Sequence, residues 1–145
     1  MEYGVRYFCV FAVIMTAAVW ATLKVATLDQ IPSCKPPSGV EERSFPKGLP
    51  VALRDAIKNK LGEVVPPGEK FDSTDVVFNG KNPRASFVWV RGTRWVVATE
   101  HGGRVHNNPI FAFDITADSL EARLIAEATA FPDSICATAL KQIEQ

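Results

Sequence analysis

Arg84 to Glu100 reads Arg-Ala-Ser-Phe-Val-Trp-Val-Arg-Gly-Thr-Arg-Trp-Val-Val-Ala-Thr-Glu. Both halves are rich in β-branched and aromatic residues, which fit a pleated surface, and Gly92-Thr93 divides them. Gly at the first position of a two-residue connection supplies the positive φ of a tight hairpin turn. Pairing outward from the turn sets Arg91 against Arg94, Val90 against Trp95, Trp89 against Val96, Val88 against Val97 and Phe87 against Ala98. One face then carries Phe87, Trp89, Val96 and Ala98, and the other Val88, Val90, Trp95 and Val97. A sheet with one wet face alternates apolar with polar. Here both faces are apolar, so the hairpin needs cover on both: helices on one, and loops, the upstream tether or a partner on the other.

Upstream, Leu49, Leu53, Ala56, Ile57 and Leu61 recur at helical spacing, with Arg54, Asp55, Lys58 and Asn59 on the opposite side. Pro50 suits a first helical position and Gly62 the position after the end. The spacing predicts a helix over Leu49–Leu61. Phe71 to Phe78 reads as the first strand, followed by the turn formers Asn79-Gly80-Lys81-Asn82-Pro83.

Downstream, Ile110 to Thr116 alternates as a strand. Phe111, Phe113 and Ile115 point one way, and Ile110, Ala112 and Asp114 the other. Leu120 to Ala130 sets two signals against each other. Its Ala and Glu content favours a helix, yet Leu120, Ala122, Leu124, Ala126, Ala128 and Ala130 occupy every even position. The period of two predicts a strand. Asp133 or Ser134 is placed to cap a final helix, with Cys136, Ala139, Leu140 and Ile143 on its buried stripe.

The N-terminal part differs in kind. Tyr7 to Leu23 carries no charge and is bracketed by Arg6 and Lys24. As a helix it spans roughly 25 Å, and snorkelling of Lys24 lets Val25–Leu28 extend it toward the thickness of a bilayer core. Residues 7–28 therefore read as a membrane anchor. Cleavage after Ala21, following Val19-Trp20-Ala21, is the competing signal-peptide reading. Either one exports the rest of the chain. Residues 29–48 form a Pro-rich linker holding Pro32, Pro36, Pro37, Gly39, Pro46 and Gly48, a density that favours an extended tether. The expected organisation is anchor or signal peptide over 1–28, linker over 29–48 and one globular domain over 49–145. The fold class is α+β: an antiparallel meander of about five strands flanked by an N-terminal and a C-terminal helix.

Cysteine usage agrees with export. Cys9 lies in the apolar run, whereas Cys34 and Cys136 stand at the two ends of the exported part. An even pair in an oxidising compartment is expected to form a disulfide. Sixteen basic residues balance sixteen acidic ones for a net charge of zero. Without a basic excess the chain is not expected to bind nucleic acid.

Catalytic residue types gather only at Glu100, His101 and His106, with Asp114 nearby in sequence. Histidine and carboxylate can ligate zinc or move protons near neutral pH, but His-x4-His across Gly102-Gly103 has no helical geometry to converge it. No cofactor or metal is expected. For binding, Trp89, Arg91, Arg94 and Arg104 combine aromatic and cationic groups. The leading expectation is a non-enzymatic interaction domain of the envelope, with a protein or envelope component as partner. The alternative is a small enzyme or metal-binding protein using the Glu100/His101/His106 loop.

Overall fold

The computed structural model describes residues 33–71, 83–102, 107–116 and 120–145. The chain's contacts divide it between Gln30 and Ile31, and every described residue lies in the second unit. The elements are β1 (Glu41–Glu42), α1 (Val51–Leu61), β2 (Arg84–Arg91), β3 (Arg94–Glu100), β4 (Asn108–Asp114), β5 (Arg123–Ala130) and α2 (Ile135–Glu144). They build an α+β domain around one antiparallel sheet in the order β1-β2-β3-β4-β5. Residues 7–28 lie outside the described part. Among the described residues no helix is long and apolar enough to cross a membrane.

The central hairpin has the predicted register, from Arg91↔Arg94 at the turn to Phe87↔Ala98. Gly92 takes φ 60°, the conformation for which the turn needs glycine. The two faces separate as expected. Phe87, Trp89, Val96 and Ala98 join Ile110, Ala112 and Ala130 under Ile135, Ala139 and Ile143 of α2. Val88, Val97, Phe111 and Phe113 pack against Leu49, Leu53 and Ile57 at and along α1. Each face is therefore covered by a helix of the chain itself. The face expected to be closed by loops, the tether or a partner is closed by α1, with Phe45 of the tether and Val64 of the following loop packed beside it. Lys60 extends that cover. Its ammonium lies 2.8 Å from Glu127 of β5 and 5.9 Å from the Phe111 ring centroid.

Among the described residues five strands form, four of them at predicted places. Of the strand expected over Phe71–Phe78 only Phe71 is among the described residues, and it belongs to no strand. The additional strand comes from the Pro-rich segment, where Glu41 and Glu42 pair with Val90 and Trp89. Cys34 and Val40 enter the α2-side core. The prolines leave a stretch without side-chain periodicity, but between Gly39 and Ser44 no proline interrupts the chain, and the free edge of β2 supplies the hydrogen bonds. Pro50 stands one place earlier than expected, at the N-cap of α1 rather than inside it.

Of the strand expected over Leu120–Ala130, Arg123–Ala130 forms, because pairing with β4 from Asn108↔Ala130 to Asp114↔Arg123 outweighs its helix propensity. A bulge opposite Ala112/Phe113 gives Ile125 an extra place in the ladder. Ile125 and Ala126 consequently both pack toward α2, whereas Ala122 turns to the α1 side. Beyond the bulge, Leu124 is 39% and Leu120 94% exposed. β5 is an outer strand, and its bulge and the charges of Arg123 and Glu127 blunt that open edge.

The disulfide forms. Cys34 and Cys136 are bonded across a sequence separation of 102, with Cα atoms 5.4 Å apart. It ties the segment before β1 to the first turn of α2.

Candidate functional site

The sheet carries polar groups at its two ends. The β3 residues Arg94 and Glu100 mark them, about 20 Å apart at 3.3–3.4 Å per residue.

At the Glu100 end, continuing the hairpin register would set Ala85 against Glu100. Instead Ser86 is bulged, so Ala85 pairs with Thr99 and Arg84 with Glu100. The extra residue brings Arg84 and Glu100 onto one face. Arg84 donates from Nη2 and Nε to Glu100 Oε2 at 2.7 and 3.2 Å. Its Nη1 donates to the Glu69 carbonyl at 3.3 Å, and its guanidinium sits 4.3 Å from the Phe71 ring centroid. The two side chains are only 11% and 6% exposed. A buried carboxylate gripped by a guanidinium joins β2 to β3, which is a structural task.

His101 continues the extended chain, in a single antiparallel bridge with Asn107. Successive side chains of extended backbone project to opposite sides, so His101 turns away from the Glu100–Arg84 pair. Its Nε2 is buried without a hydrogen-bond partner, as is Oδ1 of the cross-strand Asn107. Thr99 donates to the Pro109 carbonyl at 3.2 Å, and Asn108 donates to the Ala130 carbonyl at 3.5 Å. His106 and Arg104 lie outside the described residues. Among the described residues no group of three His, Cys, Asp or Glu side chains could hold a metal ion.

Burial lowers the pKa of His101, because a charged imidazole loses hydration there. The folded state then binds fewer protons than the unfolded state, so stability increases with pH. His101 therefore lowers stability as pH falls from its ordinary value near 6.5 through the depressed folded value. The urea midpoint of the wild type is expected to fall between pH 7.5 and 5.5, with a smaller fall in His101→Gln. An equal fall in both would assign the dependence to other groups.

Asp114 belongs to the opposite end. Register places Arg91 against Arg94, Arg94 against Asp114 and Asp114 against Arg123. Directly opposed residues share a face, so the four form one charged row across β2 to β5. Directly inside it stand Trp89, Val96, Ala112 and Ile125 of the α2-side core. Arg94 donates from Nη1 to the Gln142 carbonyl at 3.3 Å, so a cation caps the carbonyl end of α2. Its Nε is buried without a partner, as is Gln142 Oε1. Arg123 lies 3.7 Å from Asp114, with their side chains 78% and 25% exposed, and Arg91 is exposed.

The residues singled out in the sequence are thus distributed rather than assembled. Glu100 and His101 diverge, and Asp114 is at the far end of the sheet. Trp89 is 1% exposed, with its ring centroid 4.7 Å from that of Phe87 in the core under α2. It cannot present an aromatic platform at the surface. Arg91 and Arg94 do come together. Sequence reasoning missed Arg84 and Arg123, the partners of the two carboxylates. Arg84 meets Glu100 only through the bulge at Ser86, which no local pattern announces. Comparison with protein-family models, with curated proteins and with solved structures finds no match.

Proposed function

We propose that this chain is a small exported domain, held to the membrane by residues 7–28 and serving a non-enzymatic binding role outside the cytoplasm. The observation that carries the export reading is the Cys34–Cys136 disulfide. Such a bond persists in oxidising compartments and is rare where thiols are kept reduced. The uncharged run before it in sequence provides an export signal that agrees with this compartment. The binding reading changes in one respect. Since α1 and α2 cover the two sheet faces, a partner meets the ends, edges or loops of the sheet rather than its aromatic surface.

Cell fractionation with thiol titration of the full-length chain tests the proposal. The expected result is a membrane-bound chain that begins at Met1 and has one titratable thiol, Cys9. A mature chain beginning at Thr22 would retain export and remove the anchor. Recovery from the soluble cytoplasm with Cys34 and Cys136 both free would overturn the reading.

A further inference from the structure

We propose that Arg91 and Arg94 form a clamp for a phosphate group at the turn end of the sheet. This site gives the binding role proposed above a ligand class, and it rests on that reading.

Three guanidinium groups and one carboxylate stand in a single row, and the charges are not evenly neutralised. Asp114 stands between Arg94 and Arg123 in register, and its ion pair is with Arg123 at 3.7 Å. Arg91 faces Arg94 and has no ion-pair partner among the described residues. Like charges directly opposed across two strands repel, and an anion between them removes the repulsion. The hairpin register forces this proximity, since the only residues between the two arginines are the turn pair Gly92-Thr93.

The two arginines differ in mobility. Arg94 is half-buried and anchored through Nη1 to the Gln142 carbonyl, while its Nε has no acceptor. It is a guanidinium held in place with its Nε enclosed, so it meets a ligand through its terminal nitrogens. Arg91 is exposed and can close on a ligand from the turn side. Directly opposed residues hold their Cβ atoms about 5 Å apart, so two guanidinium forks reach one small anion together. A carboxylate has two oxygens and is satisfied by one fork. A phosphate group has three or four oxygens around a tetrahedral centre and accepts from both forks at once. The negative groups facing the site are Asp114 and the carbonyl end of α2, with Glu144 in its last turn. Arg123 lies 3.7 Å from Asp114 and Arg94 donates to the Gln142 carbonyl, so two of these three groups already have a cation beside them.

The test uses the full chain in detergent micelles at about 20 mM ionic strength, where exposed charges are weakly screened. Inorganic phosphate and the soluble diester headgroup glycerophosphoglycerol are titrated separately by calorimetry. Saturable binding of at least one probe is expected. Arg91→Gln should weaken it about tenfold or more, because one charge-assisted fork is removed. Arg54→Gln, on α1, should leave it unchanged. Binding of inorganic phosphate alone would identify a free phosphate or monoester source, and binding of the diester as well a membrane headgroup. Absence of saturable binding to either probe overturns the proposal, as does equal binding by Arg91→Gln and the wild type. Arg91 is exposed, so its replacement leaves the cores intact, and a normal circular-dichroism melt confirms that the variant is folded. Neither failure bears on export, which fractionation and thiol titration read independently.

Discussion

Replacing both Cys34 and Cys136 by alanine lowers the stability of the domain by about 2–5 kcal/mol, the range for removal of a native bridge from a small domain. The loop closed spans a separation of 102 residues, and the chain-entropy model gives roughly 4.7 kcal/mol for a loop of about 100 residues. Domains of this size have about 5–15 kcal/mol in total, so the loss consumes a large share of it. The cost falls on a particular joint. Cys34 is 8% exposed and packs with Val40 beneath α2, and β1 follows it with only two paired residues. Without the bridge, this strand has little else to hold it on β2. Urea denaturation of the oxidised wild type and the double alanine variant measures the effect. Amide exchange at Glu41 and Glu42 should accelerate more than exchange in β3. A midpoint within experimental error of the wild type would show that the unfolded chain gains no freedom when the bridge is absent.

Glu100→Leu is expected to cost about 3–5 kcal/mol, because it leaves the Arg84 cation in a nearly closed site without its carboxylate. Arg84 is 9% exposed. Its remaining partners, the Glu69 carbonyl and the Phe71 ring, carry no compensating charge. Arg84→Met has the converse effect and leaves a buried carboxylate without its guanidinium. The double replacement, Arg84→Met with Glu100→Leu, removes both charges and should be less damaging than either single change, since a packed apolar pair avoids the desolvation cost altogether. A double-mutant cycle in urea therefore shows strong coupling. Additive losses would mean that the two charges do not depend on each other, and the structural role assigned to Glu100 would fall. If the Glu100 variants instead abolished a chemical activity while stability held, that same role would be wrong.

Much of the fold was legible because it depends on local repetition. Gly92-Thr93 and its β-branched flanks specified a hairpin and its register, since a two-residue turn leaves no freedom in pairing. The period of two along Leu120–Ala130 was a better guide than its alanines, because β4 offered a ladder and a half-buried surface. The candidate site was less legible. Glu100, His101 and His106 are close in sequence, but adjacent residues on a strand diverge, so Glu100 and His101 could not assemble as neighbours. The row Arg91-Arg94-Asp114-Arg123 was readable only in its hairpin half. The rest follows from how β4 and β5 register on β3.

By itself the sequence determined the hairpin, its two apolar faces, the amphipathic helices and the cysteines available for a bridge, all consequences of side-chain period and turn chemistry within short windows. Tertiary structure alone decided the rest. It set one helix on each face, drew Glu41–Glu42 out of a Pro-rich segment to pair with β2, and inserted Ser86 and Ile125 as bulges. Those bulges matter because a one-residue slip reverses every side chain beyond it. Arg84 thereby meets Glu100 inside the protein, while Arg123 reaches Asp114 at the rim. The physical reason is that a strand's period states which residues share a face, but only its neighbours state where that period is broken.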